Sequence, residues 1–354
     1  MRAGALQGMA TYLAFLAPLV STGIGGCGVV QVGLNGALAR QLGHFLPSAL
    51  VSYAGGMLWI GLANALLWWR VGGLETAPRR RRSGWPQWWE CCGGALGSLG
   101  LVGSVAVAPH LSFTLITMIN SLGQMLASLT VDHYGFLGMP RHRLTWQRVG
   151  GALIVVAGCI LAGLYLGSPG GAAAGGSSSI LSTLAYSLVY LTTRSLQPVQ
   201  ACINGRLSEH LPSPAGPLAG MVSFSTGAIA VSLMCAALFV RRPKYYHLTA
   251  AALTRPWAAD GVKWWMLLGG IPGSTGTITT VFLTKHLSAT VHNTLTAAGS
   301  LFGSMVFDSL GSFGAAKRPT TWLRLVSVAL AFAGSALTKE PFGRPRESKQ
   351  DPNV

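Results

Sequence analysis

Gln31-Val-Gly-Leu-Asn35-Gly36 returns as Gln200-Ala-Cys-Ile-Asn204-Gly205, and Val51-Ser52-Tyr53 returns as Val222-Ser223-Phe224. Outward from these, Trp88 to Gly163 aligns without a gap on Trp264 to Lys339, at a constant offset of 176. Trp88-Trp89, Gly93-Gly94, Gly97, Ser98, Gly100, His110-Leu111-Ser112, Gly123, Ser128, Asp132, Gly135, Gly138, Thr145-Trp146 and Arg148 all recur at that offset. Both copies are strongly apolar. An apolar unit duplicated within one chain points to movement of solutes across a membrane more than to catalysis.

The composition places the chain in the bilayer. It is 50% hydrophobic and 10% charged, with a mean hydropathy of +0.47, where soluble domains carry about 25% charged residues. A membrane helix needs roughly 20 mostly apolar residues, and about ten segments qualify. The 47 glycines suit helices whose backbones approach closely. The net charge of +16 does not imply nucleic acid, because the basic residues sit in short connections such as Arg79–Arg82, beside apolar spans. That placement fits topology signals and anionic headgroups. Cys27, Cys91, Cys92, Cys159, Cys202 and Cys235 all fall in apolar segments without CxxC or Cys/His spacing, so neither a zinc site nor a disulfide framework is expected. The apolar run behind Met1 extends almost to Ala39, too long for a signal-peptide core, and reads as the first membrane helix.

The expected helices are 9–38, 47–69, 89–109, 111–134 and 146–166, then 180–207, 216–240, 264–284, 287–310 and 322–338. Residues 1–167 form the first five-helix repeat and 180–339 the second. Between them 168–179 has linker composition, too short and glycine-rich to span. The tail 340–354 is polar and expected to be disordered. Five helices per copy is an odd number, so the second copy enters the membrane upside down. The fold class expected is an all-α polytopic membrane protein of about ten transmembrane helices in a 5+5 inverted-topology repeat, which places a solute site between the halves near the midplane. Basic loops occur at matching positions, Arg70 with Arg79–Arg82 and Arg241, Arg242 with Lys244, so inversion sets them on opposite faces. The side holding both termini carries the Lys/Arg excess and is taken as cytosolic; which membrane is involved stays open.

Gln31…Asn35-Gly36-Ala-Leu, Val51-Ser52-Tyr53…Gly56 and Gly123-Gln124…Ser128…Asp132-His-Tyr-Gly135-Phe-Leu-Gly138 together resemble the YdcZ-like family of inner-membrane exporters in the drug/metabolite transporter superfamily. The resemblance covers Met9 to Lys339. A typical member is one five-helix unit, so the chain looks like two units fused. The resemblance implies a ten-helix inverted repeat around a polar cavity and names no substrate. The second copy departs from the pattern: Gln124 becomes Ser300, and His133-Tyr134 becomes Ser309-Leu310. The related small multidrug-resistance proteins use a glutamate in their first helix. No Asp or Glu occurs from Met1 to Trp69, so that proton-exchange mechanism is not carried over.

Polar residues in the spans supply the candidate site. Asn120, Gln124, Ser128 and Asp132 make one line at i, i+4 spacing, mirrored by Thr296, Ser300, Ser304 and Asp308. Unsatisfied polar groups in hydrocarbon cost several kcal/mol, so the line faces protein or water. It reads either as a pathway lining or as hydrogen bonding between helices. Gln31/Asn35 and Gln200/Asn204 share the i, i+4 spacing; their amides either bind a polar solute or join the two copies. Arg194 stands where the first copy has Gly25. A charge at mid-span needs a partner or water and reads as an anion ligand or as a snorkelling side chain; His292 and Asn293 are possible companions to it. Asp132 and Asp308 each precede an arginine, Arg148 or Arg324, across one short loop. These pairs read as helix-end clamps, with ion coupling as the alternative. Gly93xxxGly97 and Gly269xxxGly273 read as close helix contacts, and His110 and His286 as helix-turn residues.

No nucleophile–base set, phosphate loop or metal spacing occurs, so an enzyme is not expected, nor a cofactor. The expected function is a secondary carrier exporting a small polar or anionic solute by alternating access, with Gln31, Asn35, Asn120, Gln124, Asn204 and Arg194 as solute ligands. A receptor or scaffold that keeps a transporter fold is the alternative. The partners expected are the solute, the bilayer and, as one option, a second copy in a homodimer.

Overall fold

The computed structural model describes residues 2–71, 84–135, 137, 145–166, 180–211, 215–254, 261–286 and 289–337. The linker at 168–179 and the tail from 340 lie outside the described residues. Every regular element among those described is helical. The first repeat contributes α1 (Arg2–Leu42), α2 (Phe45–Val71), α3 (Gly93–Val107), α4 (Phe113–Tyr134) and α5 (Trp146–Leu166). The second contributes α6 (Ile180–Ser195), α7 (Gln197–His210), α8 (Ala215–Arg241), α9 (Pro243–Thr254), α10 (Gly270–His286), α11 (Ala289–Leu310) and α12 (Trp322–Leu337).

Leu16–Leu42, Phe45–Leu66, Trp88–Val107, Phe113–Val131 and Leu218–Arg241 are long and apolar enough to cross a bilayer, and Trp146–Ala162, Leu295–Leu310 and Trp322–Leu337 are shorter apolar helices. Large apolar side chains such as Leu58, Leu181, Leu233 and Phe302 point outward, which water would penalise and acyl chains accept. The chain is an all-helical, multi-pass membrane protein.

Three expected elements differ. The span expected over 180–207 is two helices, α6 and α7, because Pro198 has no N–H for the carbonyl of Arg194 and its ring would clash there. Val29 holds the matching place in α1, which runs on unbroken. The spans expected from Trp89 and Trp264 begin as 3₁₀ turns, Trp88–Cys91 and Trp264–Gly269, and become α-helical only at the glycines that follow. α9 was not expected: Pro243 starts it, but Lys-Tyr-Tyr-His breaks the apolar pattern that marked the spans.

Corresponding helices of the two repeats pack reciprocally. Gly158 on α5 meets Ser327 and Ala331 on α12, and Gly334 on α12 meets Gly151 and Val155 on α5. A Cβ on Gly158 would lie 2.9 Å from the Ser327 carbonyl oxygen, so the backbones touch. Likewise Tyr53 on α2 covers Gly227 while Phe224 on α8 covers Gly56, the two rings edge to face at 5.5 Å. In both pairs the position rises along one helix as it falls along the other. These two pairs of corresponding helices therefore run antiparallel, and the twofold relating them lies across the helices rather than along them.

The turn after α4 is also duplicated. Gly135 and Gly311 end α4 and α11 at φ 62 and 66, and two residues on Leu137 and Phe313 take φ 55 and 59. Such left-handed residues without glycine are uncommon. Arg206 Nε donates to the Leu137 carbonyl at 2.7 Å, and Arg40 donates to the Phe313 carbonyl. Each repeat thus holds the other's turn through an arginine, although Arg206 and Arg40 do not correspond in the alignment.

Candidate solute site and the clamps beside it

α3 presents Gly93, Gly97, Gly100 and Gly103 on one side, and side chains of the second repeat lie along them. Asn204 rests on Gly93, Gln200 on Gly97, Arg194 on Gly100 and Thr193 on Gly103. The strip at the start of α10 receives the first repeat in the same way: Asn35 on Gly269, Gln31 on Gly273 and Ile24 on Gly276. The GxxxG pairs are thus close contacts between the repeats, and the Gln/Asn amides are what they contact.

Those amides are held from behind. Asn35 Nδ2 donates to Ser52 Oγ at 3.0 Å, and Asn204 Nδ2 to Ser223 Oγ at 3.2 Å. Gln200 Nε2 reaches the same Ser223 hydroxyl at 3.4 Å. The serines came out of the sequence only as repeat markers; their recurrence 17 and 19 residues after the asparagines was the available signal. Asn35 is completely buried, and its Oδ1 and that of Asn204 accept no hydrogen bond among the described residues.

The one charge on the α3 strip is Arg194, in the last turn of α6 directly before the break. Its Nε donates to Asn120 Oδ1, which also accepts from Gln124 Nε2 at 2.8 Å. Buried Tyr190 lies under the guanidinium, 5.8 Å from its ring centroid. No carboxylate among the described residues pairs with Arg194. The corresponding place in the first repeat is filled differently: a Cβ on Gly25 would collide with the Thr296 carbonyl of α11. The helices there meet backbone to backbone; α4 and α6 also approach closely at Gly123, where a Cβ would lie 2.9 Å from the Leu191 carbonyl oxygen, but an arginine fills the place of Gly25. Of the sequence-predicted ligands, Arg194, Asn120 and Gln124 come together, Asn204 shares their glycine strip, and Gln31 and Asn35 lie on the opposite one. The side chains of His292 and Asn293 lie outside the described residues.

Asp308 joins the two repeats. Its carboxylate accepts the backbone N–H groups of Phe113 and Thr114, each at 2.9 Å, and the Thr114 hydroxyl at 2.7 Å. It therefore caps the positive end of α4 from the other repeat. Arg324 on α12 pairs with the same carboxylate, donates to Thr114 Oγ1 at 2.7 Å and to the Arg318 carbonyl at 2.9 Å. Asp308 and Arg324 are 1% and 5% exposed. Arg148 is buried too, while the side chain of Asp132 lies outside the described residues.

A second inter-repeat contact was not foreseen. Glu90, 2% exposed, accepts the Gln87 N–H at 2.9 Å and lies 3.2 Å from His210 Nε2 at the end of α7. His210 Nδ1 lies 3.1 Å from the Gly84 carbonyl oxygen. Both ring nitrogens thus have an oxygen neighbour, one from each side of the contact. Only Glu90 and His210 among their counterparts ionise: Met266 and Gln41 stand in the other half. His110, between α3 and α4, stacks on Tyr186 at 4.1 Å, and its partial burial lowers its affinity for a proton.

The model of the family described as "Putative inner membrane exporter, YdcZ" matches the chain twice, at residues 16–161 and 185–337. No curated protein matches the chain. A solved structure titled only "Crystal structure of protein" is similar over 90% of this chain and 98% of its own, with a TM-score of 0.50 and 18% identity. That likeness concerns the fold alone.

Proposed function

This chain belongs to the YdcZ family of inner-membrane exporters, and from that premise we propose that it is a secondary carrier for a small anionic solute, held by Arg194, Asn120 and Gln124. The observation that carries the reading is Arg194 itself. A cation inside the bundle is expensive without a counter-charge, and here it meets the Asn120 amide and a tyrosine ring but no described carboxylate. A solute carboxylate or phosphate completes the pair, and a guanidinium suits either with two parallel N–H donors. The helix break adds to this. In carriers, interrupted helices turn free backbone groups and half-helix ends toward the solute near the midplane.

Counting α6 with α7 as one interrupted span gives ten spans, with α9 at one face. The antiparallel corresponding helices support inverted repeats that rock against each other, opening the site to each face in turn, with both termini in the cytosol. The glycine strips on α3 and α10 serve as the sliding contacts, and the Asp308–Arg324 and Asp132–Arg148 pairs brace the ends.

The test is uptake of radiolabelled anions and cations into vesicles reconstituted with the purified chain. Saturable, counterflow-competent transport of an anion is expected. It falls below one-hundredth in Arg194→Ala, since a desolvated charged hydrogen bond is worth about 3 kcal/mol, and it is weakened in Gln124→Ala. Transport of organic cations that is indifferent to Arg194→Ala overturns the reading.

A further inference from the structure

The half of the molecule opposite the Glu90–His210 contact is not sealed. Where the first half has Glu90 and His210, the corresponding Met266 and Gln41 border an open cavity of about 380 Å³, within the size range of small-molecule sites. Arg40 and Lys263 also line it, with Trp265 and Phe313 as apolar walls. No acidic residue stands among its described lining; Asp260, the nearest in sequence, lies outside the described residues.

The two cations differ in how they are held. Arg40 is oriented by the bond to the Phe313 carbonyl, which uses one of its five N–H donors. Gly314 at φ 73 leaves that guanidinium room, since a Cβ there would lie 3.1 Å from its Nη2. Lys263 precedes the 3₁₀ turn and makes no ion pair among the described residues. Two uncompensated cations over an apolar floor attract an anionic head on an apolar body. Because corresponding helices are antiparallel, this cavity opens at the face opposite the Glu90–His210 contact.

We propose that the Arg40–Lys263 cavity is a second, separate anion site that takes a phosphate group, either free or as a lipid headgroup. The pseudo-symmetric position is closed by the Glu90–His210 contact; here the cations are left for a ligand. The site is independent of Arg194 and does not rest on the transport reading.

The test uses the full chain in detergent with Arg194→Ala as background, so that an anion held at Arg194 is not counted. Inorganic phosphate, dihexanoyl-phosphatidylglycerol below its micelle concentration and dihexanoyl-phosphatidylcholine are titrated by calorimetry. Saturable binding of phosphate and phosphatidylglycerol, weakened about tenfold or more by Lys263→Gln, identifies a free-anion site. Binding of phosphatidylglycerol alone, with the same loss, identifies a lipid headgroup site. Met266→Glu with Gln41→His introduces the contact of the other half and should abolish either. Absence of saturable binding, equal binding of phosphatidylcholine, or indifference to Lys263→Gln in a chain of unchanged thermal stability overturns the proposal.

Discussion

Asp308 gathers two backbone N–H groups, a threonine hydroxyl and a guanidinium around one carboxylate. Removing it strands a buried arginine and uncaps a helix of the other repeat. Asp308→Ala should cost about 3–5 kcal/mol in unfolding experiments in detergent. The double variant Asp308→Ala/Arg324→Ala should cost less than the sum of the singles, because no lone charge then remains buried. Additive losses would show that the two side chains act separately. Arg148→Ala should lower the folded amount in the membrane rather than the rate per folded molecule. A lost rate with normal folding would assign Arg148 to the solute path. At this scale residue types were legible and partners were not. Both aspartates and both arginines stood out at constant offset, but nothing local announced Thr114 as the third member, since it lies 194 residues from Asp308.

The clearest difference between the repeats at the scale of an element is the interruption between α6 and α7. Pro198→Ala restores the missing donor and should let the two helices merge as α1 does. Stability should rise by up to about 3 kcal/mol, while transport declines because Arg194 is no longer presented at a helix end. Faster transport in the variant would remove the break from the mechanism. The tight crossing of α5 and α12 gives a second prediction. Gly158→Leu and Gly334→Leu overpack corresponding sides of one contact, and each should cost about 1–3 kcal/mol, the two agreeing closely. A large inequality would deny the reciprocal packing. Proline at 198 was visible in the sequence, yet the apolar run on either side of it carried the reading through. Pattern length outweighed a single breaker, and the division into α6 and α7 shows that the breaker won.

At the scale of the whole molecule the two halves are related but unequal. One half closes Arg194 over Asn120 and Glu90 over His210; the other packs Gly25 on Thr296 and leaves a basic cavity. The proposed ten-span arrangement puts both termini on the same face, so tags at Met1 and Val354 should be protected or labelled together in oriented vesicles. Opposite labelling would break the inverted arrangement. Exposed tryptophans agree with two interfaces: Trp88, Trp146, Trp264 and Trp322 are 80%, 91%, 60% and 72% exposed, in corresponding places at helix starts, where aromatic side chains mark the headgroup level.

The sequence by itself determined the apolar helical class, the two copies and the residue types available to a site, because periodicity and constant offset are properties of one dimension. Only the tertiary structure decided that each copy's amides lie on the other copy's glycines, that Asp308 caps α4 and that one cation is bonded to the Asn120 amide while two others line an open cavity. Those contacts join residues far apart in the chain. Their energies depend on burial and geometry that exist only once the two repeats are packed.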